Sequence, residues 1–91
     1  MPKYIIERDI AQVGKFSPDQ LSEASRKSCN VLQKLSPRVQ WVQSHVTDDR
    51  MYCLYIAVNE ESVREHARQS GFPASRISEV RAVIDPTTGG A

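Results

Sequence analysis

The stretch from Gln40 to Val58, "QWVQSHVTDDRMYCLYIAV", alternates in residue type on both sides of a short acidic segment. Alternation with a period of two is typical of a β-strand that buries one face. The acidic residues Asp48 and Asp49 suit a tight turn, because their side chains hydrogen-bond to the turn's own backbone. The stretch therefore predicts a β-hairpin, and the chain must adopt a fold that contains this antiparallel pair.

Two helices are predicted, one on each side of the hairpin. Ser17 can cap the first helix, Pro18 fits its first position, and Pro37 ends it by restricting the backbone of the preceding residue. Asn59 can cap the second helix, and Gly71 accepts the left-handed backbone angles found where helices end. The chain therefore contains one helix before the hairpin and one after it.

Two further strands, Tyr4–Ile10 and Arg76–Ile84, complete the element order βαββαβ. Two split βαβ units in this order form a ferredoxin-like α+β sandwich, with an antiparallel sheet and both helices on one of its faces. A chain of this length holds one modest core. We expect one domain over residues 1–88 and a flexible tail over residues 89–91.

The other face of the predicted sheet is left open. If Leu54 and Ile56 face the helices together with Val42 and Val46, the opposite phase of the hairpin lies on the open face. That phase contains Trp41, Gln43, His45, Cys53 and Tyr55. A turn over residues 48–50 then places His45 opposite Cys53 and Gln43 opposite Tyr55. In the outer strands, Ile6 and Ile10 are expected in the core, and the open face receives Ile5, Glu7, Asp9, Glu79 and Arg81.

An open face of this composition is too apolar to remain in water. A second copy of the same face is its simplest cover, so we expect a homodimer. The residues expected at the dimer interface are Trp41, Gln43 and Tyr55.

The charge balance argues against nucleic acid as a partner. The chain has 12 Lys plus Arg and 11 Asp plus Glu, which leaves a formal net charge of +1 and no strong basic field. It lacks a run of the ~20 apolar residues that cross a bilayer, and its N-terminus does not resemble a signal peptide. We expect a cytoplasmic protein with no membrane partner, in which Cys29 and Cys53 are free thiols.

Four segments, "KYIIERDI", "KSCNVL", "QWVQSHVTDDRMYCLYIA" and "NEESVREHARQSGFPASRISEVRAVIDPTT", together carry a family resemblance. With them the chain resembles a family of small bacterial nickel-binding proteins, catalogued largely as a domain of unknown function. The resemblance extends from Pro2 to about Thr88. It implies a ferredoxin-like fold, a homodimer through the sheet faces and the binding of a nickel ion.

The candidate metal ligands are His45, Cys53, Glu7 and Asp9. Cross-strand neighbours bring an imidazole and a thiol close together, and carboxylates on the adjacent strand can add oxygen ligands. No CxxC or HxxxH spacing supports the set. The alternatives are a hydrogen-bonded His45 in the dimer seam and a Cys53 that is a small buried hydrophobe. His66, at the border of the second helix's apolar face, competes for the ligand role.

Two functions of different class follow from these residues. The first is a nickel-binding, non-catalytic homodimer that stores, buffers or senses the metal. The alternative is an enzyme whose dimer cavity, lined by Tyr55, His45, Glu7 and Arg81, acts on a small organic acid. A third hypothesis is a structural or interaction module that has neither a metal nor a cavity. Because the sequence has no Ser-His-Asp order, phosphate loop or cofactor fingerprint, metal binding is favoured.

Overall fold

The computed structural model describes residues 1–90, and its elements follow the predicted order. Ala91, the last residue of the predicted tail, lies outside the described residues. The strands are β1 (Lys3–Asp9), β2 (Val39–Val46), β3 (Arg50–Ala57) and β4 (Arg76–Glu79). The helices are α1 (Pro18–Leu35) and α2 (Glu60–Ser70), and short 3-10 helices cover Val13–Lys15 and Pro86–Gly89.

The four strands form one sheet in the order β2-β3-β1-β4, and every neighbouring pair is antiparallel. The first and third strands of the sequence are therefore the central neighbours, as the crossover rule requires. Residues of both helices, such as Val31 and Val63, join the buried core on one face of this sheet. The predicted ferredoxin-like α+β fold is confirmed.

Both helices begin at the predicted capping residues. The Ser17 hydroxyl accepts a hydrogen bond from the backbone N–H of Gln20, whose side chain accepts one from the Ser17 backbone in return. This reciprocal pair is a capping box, which satisfies two backbone donors that the helix leaves free. Asn59 caps α2 through the N–H of Ser62, and Gly71 ends that helix with a left-handed φ of 76°.

A β-bulge in β2 changes which side chains face the helices. Trp41 pairs with Tyr55 and Gln43 pairs with Leu54, so Val42 has no partner in β3. An unpaired residue of this kind reverses the alternation beyond it. Trp41 thus lies on the helix-covered face. Gln43 and His45, which were predicted to share a face with Trp41, lie on the open face.

The predicted phase of β3 is wrong. Cys53 and Tyr55, each 2% exposed, lie under the helices, and Leu54 and Ile56 are on the open face. The two alternating sets of β3 are similarly apolar, so alternation by itself does not select the buried set. In β1 the predicted phase is confirmed, because Ile6 is fully buried and its sequence neighbours lie on the other face.

The last strand is shorter than predicted, since β4 ends at Glu79 instead of Ile84. The backbone N–H of Val80 donates to the carbonyl of Lys3 at 2.8 Å, and β1 begins at Lys3, so the chain after Val80 has no partner in that strand. Glu79 pairs with Tyr4, which places it on the helix-covered side. Its predicted position on the open face is therefore wrong, and Arg81 lies beyond the strand.

Two further properties bear on the predicted setting of the protein. Over residues 1–90, neither helix combines the length and the apolar composition that a bilayer span requires. Among residues 1–90 the two cysteines form no disulfide with each other; Cys29 is exposed and Cys53 is buried.

Candidate functional site

A cavity of about 290 Å³ lies between α1 and the helix-covered face of the sheet. Its buried lining residues include three with polar groups, Arg8 from β1, Tyr55 from β3 and Ser28 from α1, together with Cys53. Partly exposed apolar side chains such as Phe16 and Phe72 line its outer part. The cavity thus combines buried polar groups with partly exposed apolar walls.

Arg8 is the most unusual residue of this cavity, because its side chain is charged and only 2% exposed. Its Nη1 donates to the carbonyl oxygens of Pro73 at 2.8 Å and Phe72 at 3.4 Å, and its Nη2 donates to the hydroxyl of Tyr55 at 3.3 Å. The centroid of the Phe72 ring lies 5.8 Å from the guanidinium carbon. None of the ion pairs among residues 1–90 includes Arg8. Its charge is therefore solvated by neutral groups alone.

His66 lies fully buried beside this group and does not occupy the border position expected from the sequence. Its Nε2 is 3.0 Å from the Ser28 hydroxyl, and its ring centroid is 5.1 Å from that of Tyr55. Burial, followed by the charge of Arg8, lowers the pKa of His66 to about 4. Burial also raises the pKa of Tyr55. Both rings are therefore neutral near pH 7.

Four of the predicted site residues lie together on the open face of the sheet: Glu7, Asp9, Gln43 and His45. His45 is exposed, pairs with Tyr52 and has its Nε2 3.3 Å from the amide nitrogen of Gln43. Since β3 separates their strands, Glu7 and His45 are ~10 Å apart across the sheet. The imidazole and the carboxylates thus occupy one surface without touching each other.

The two carboxylates of this face are held by one arginine. Arg50 approaches Asp9 at 2.6 Å through Nε and Glu7 at 3.5 Å through Nη1, and all three side chains are at least partly exposed. Exposed ion pairs of this kind contribute only ~0–1 kcal/mol each. Glu7 and Asp9 are therefore held by ion pairs that are weak enough to be exchanged for other partners.

The predicted pair of His45 and Cys53 is wrong. Ser44, and not His45, pairs with Cys53, so the imidazole and the thiol point to opposite faces of the sheet. Residues 1–90 contain no group of three or more His, Cys, Asp or Glu side chains that could hold a metal ion. Within the described residues the predicted ligands are therefore separated, with His45, Glu7 and Asp9 on the open face and Cys53 buried on the other.

Two other predicted groups of residues, the catalytic set and the interface set, do not come together on one face. Tyr55 lines the internal cavity, whereas His45 and Glu7 are on the opposite face, so the proposed catalytic set does not assemble. Tyr55 and Trp41 are likewise unavailable to an interface on the open face, and of the predicted interface residues only Gln43 lies there.

Comparisons with known proteins place the chain by its sequence and its fold. A family model described as "Nickel responsive protein SCO4226-like" matches residues 4–80. The chain belongs to the SCO4226-like family. The crystal structure of SCO4226 from Streptomyces coelicolor A3(2) superposes with a TM-score of 0.76 at 20% identity, covering 90% of this chain and 99% of that one. None of the curated proteins matches.

The sequence did not single out Arg8 or the pairing of Ser28 with His66. Arg8 lies on the same face of β1 as Tyr4 and Ile6. The signal that could have identified it was therefore a charged residue at a position expected in the core. Such a residue is rarely buried without a partner. In this SCO4226-like chain the helix-covered cavity and the open face are therefore two separate candidate sites.

Proposed function

We propose that this protein binds nickel as a homodimer and catalyses no reaction, so that it stores, buffers or senses the metal in the cytoplasm. The observation that carries the proposal is the exposed imidazole of His45 on an open sheet face, in a chain whose family is described as nickel responsive. Imidazole nitrogen is a suitable ligand for nickel. Carboxylates on the same face supply oxygen ligands that complete a mixed set.

In this proposal each nickel ion takes donors from two copies of the chain. His45 has no second strong ligand beside it, because Glu7 and Asp9 lie across the sheet and are paired with Arg50. When two open faces meet, the imidazole of one copy can approach the donors of the other. His45 is the principal ligand of such a site, and the carboxylates of Glu7 and Asp9 join it by leaving weak surface ion pairs.

The open face also supports the proposed dimer. Ile5 is 38% exposed, and Tyr52, Leu54 and Ile56 beside it are half-buried in the single chain. Contiguous apolar surface of this kind is rare on monomers and typical of interfaces. A stable seam would bury ~1,600 Å² in total. Leu54 and Ile56, with Gln43, thus replace Trp41 and Tyr55 as the interface residues of this proposal.

Calorimetric titration of nickel into untagged protein tests the function. We expect binding that weakens in acid, because ligation requires the neutral imidazole. His45→Ala should weaken binding by about tenfold or more, as expected for the loss of a principal ligand. Glu23→Ala, which removes an exposed carboxylate on α1, is the matched control and should leave binding unchanged. Equal binding by His45→Ala and the native protein would refute the proposed site.

A further inference from the structure

We propose that the cavity beside Arg8 binds a small organic monoanion with an apolar body, such as an aromatic or branched carboxylate. This site is independent of the proposed nickel site. The cavity is on the helix-covered side of the sheet, and the nickel donors are on the open face. Failure of either proposal therefore leaves the other intact.

The charge of Arg8 is the first argument. A guanidinium that is 2% exposed and has only carbonyl and hydroxyl partners carries a positive charge that no carboxylate of residues 1–90 neutralises. A buried charge without a counter-charge is costly. Guanidinium groups form strong, often bidentate hydrogen bonds with carboxylates. A carboxylate in the cavity would supply the counter-charge that the fold omits.

The neighbours of Arg8 are suited to assist such an anion. The Tyr55 hydroxyl, held by Nη2 of Arg8, has a pKa raised by burial and remains protonated. The Ser28 hydroxyl also lines the cavity and contacts Nε2 of His66. If Nε2 carries the single proton of the neutral imidazole, it donates to Ser28, and the Ser28 proton is available to Tyr55 or to a ligand. The anion then meets a cation and at least one hydroxyl donor.

The walls of the cavity define the rest of the ligand. Leu21, Met51 and Phe72 are partly exposed apolar lining residues, and the volume of about 290 Å³ is close to the lower end of small-molecule pockets, ~300 Å³. One buried cation balances one negative charge, and an apolar wall does not replace the hydration of a second. The chemistry therefore favours a hydrophobic monocarboxylate over inorganic phosphate.

A purely structural role for Arg8 makes different predictions. Through its bonds to Phe72 and Pro73, Arg8 could simply anchor the loop after α2 to the sheet. In that case the cavity would show no preference for an anion over a neutral molecule of the same shape. Phenylacetate and its neutral isostere phenylacetamide distinguish the two roles.

The protein carries its own reporter for this measurement. Trp41 is the single tryptophan of the chain, and it lines the cavity with its indole nitrogen bonded to Ser44 at 3.0 Å. Phenylacetate titrated to millimolar concentration should change Trp41 fluorescence in a saturable way. Phenylacetamide, acetate and inorganic phosphate should each bind about tenfold more weakly, since each lacks either the charge or the apolar fit.

Two variants separate the site from the fold. Arg8→Met removes the cation, and Ala24→Leu fills the cavity from α1 while leaving the Arg8 contacts in place. Each should weaken phenylacetate binding by about tenfold or more. Arg50→Met removes an arginine on the open face and should bind phenylacetate normally. The proposal is overturned if native protein shows no saturable signal, if phenylacetamide binds equally well, or if folded Ala24→Leu binds like the native protein. These three outcomes remain decisive if Arg8→Met fails to fold.

Discussion

The hydroxyl oxygen of Ser28 in α1 lies 3.0 Å from Nε2 of His66 in α2, and the histidine side chain has no solvent exposure. Within residues 1–90 the other ring nitrogen, Nδ1, has no hydrogen-bond partner. Burial and the nearby charge of Arg8 oppose protonation and lower the pKa of His66 to about 4. The buried imidazole is therefore neutral near pH 7.

This pKa predicts how stability changes with pH. A histidine in the unfolded chain has a pKa near ~6.5, so between pH 6.5 and 4 the unfolded state binds a proton that the folded state does not. The free energy of unfolding should thus be highest above pH 6.5 and fall by up to about 3 kcal/mol on acidification to pH 4.

Urea denaturation across this range measures the effect. His66→Gln removes the titrating group and should show a shallower pH dependence, whereas His45→Gln, on the open face, should retain the native slope. A native slope in His66→Gln would contradict the assignment.

Gly14 should be intolerant of any side chain. A Cβ at this position would lie 2.8 Å from both the Cα of Asp48 and the carbonyl oxygen of Thr47, which are backbone atoms of the hairpin turn. Overpacking of this kind costs ~1–3 kcal/mol. Gly14→Ala should therefore lower the free energy of unfolding by that amount in urea denaturation.

Gly89 supplies the matched control for this measurement. A Cβ there would meet nothing within 4 Å. Gly89→Ala should leave the free energy of unfolding nearly unchanged. Equal effects of Gly14→Ala and Gly89→Ala would contradict the claim that Gly14 is required by its close packing on the hairpin turn.

Much of the fold could be predicted because its signals are local. The caps at Ser17 and Asn59, the stop at Gly71 and the turn after Val46 each act on neighbouring residues. The end of β4 is not set by a local signal, because it depends on where β1 begins, far away in the sequence.

The candidate site was harder to predict, because it depends on the phase of two strands. The bulge at Val42 carries no sequence signal, yet it decides that His45 faces away from Cys53. The phase of β3 was also open, as both of its faces are apolar. Because the predicted phase was wrong, Tyr55 was expected on the open face, and its contact with Arg8 in the cavity was not predicted.

We predict that the open face is the seam of the proposed homodimer. Ile56 lies on this face, where it pairs with Lys3 and Gln40. Ile56→Arg would place an unpaired charge in the seam, which is strongly unfavourable on burial. In sedimentation experiments at micromolar concentration the native chain should be a dimer and the variant a monomer.

The control for the seam substitution is Gln33→Arg, which adds the same charge at an exposed position of α1, away from the open face. It should remain dimeric. A native chain that sediments as a monomer, or an Ile56→Arg variant that stays dimeric, would rule out a seam through this face.

Nickel binding by the Ile56→Arg monomer, measured by equilibrium dialysis and elemental analysis of untagged protein, tests the shared site most directly. Ile56 is ~13 Å along β3 from Tyr52, the partner of His45, so the substitution leaves every proposed ligand in place. If each ion requires donors from two copies, the native dimer and Gln33→Arg should retain nickel, and the Ile56→Arg monomer should bind it at least about tenfold more weakly. Nickel bound as tightly by the monomer as by the dimer, or not at all by the native protein, would contradict the account.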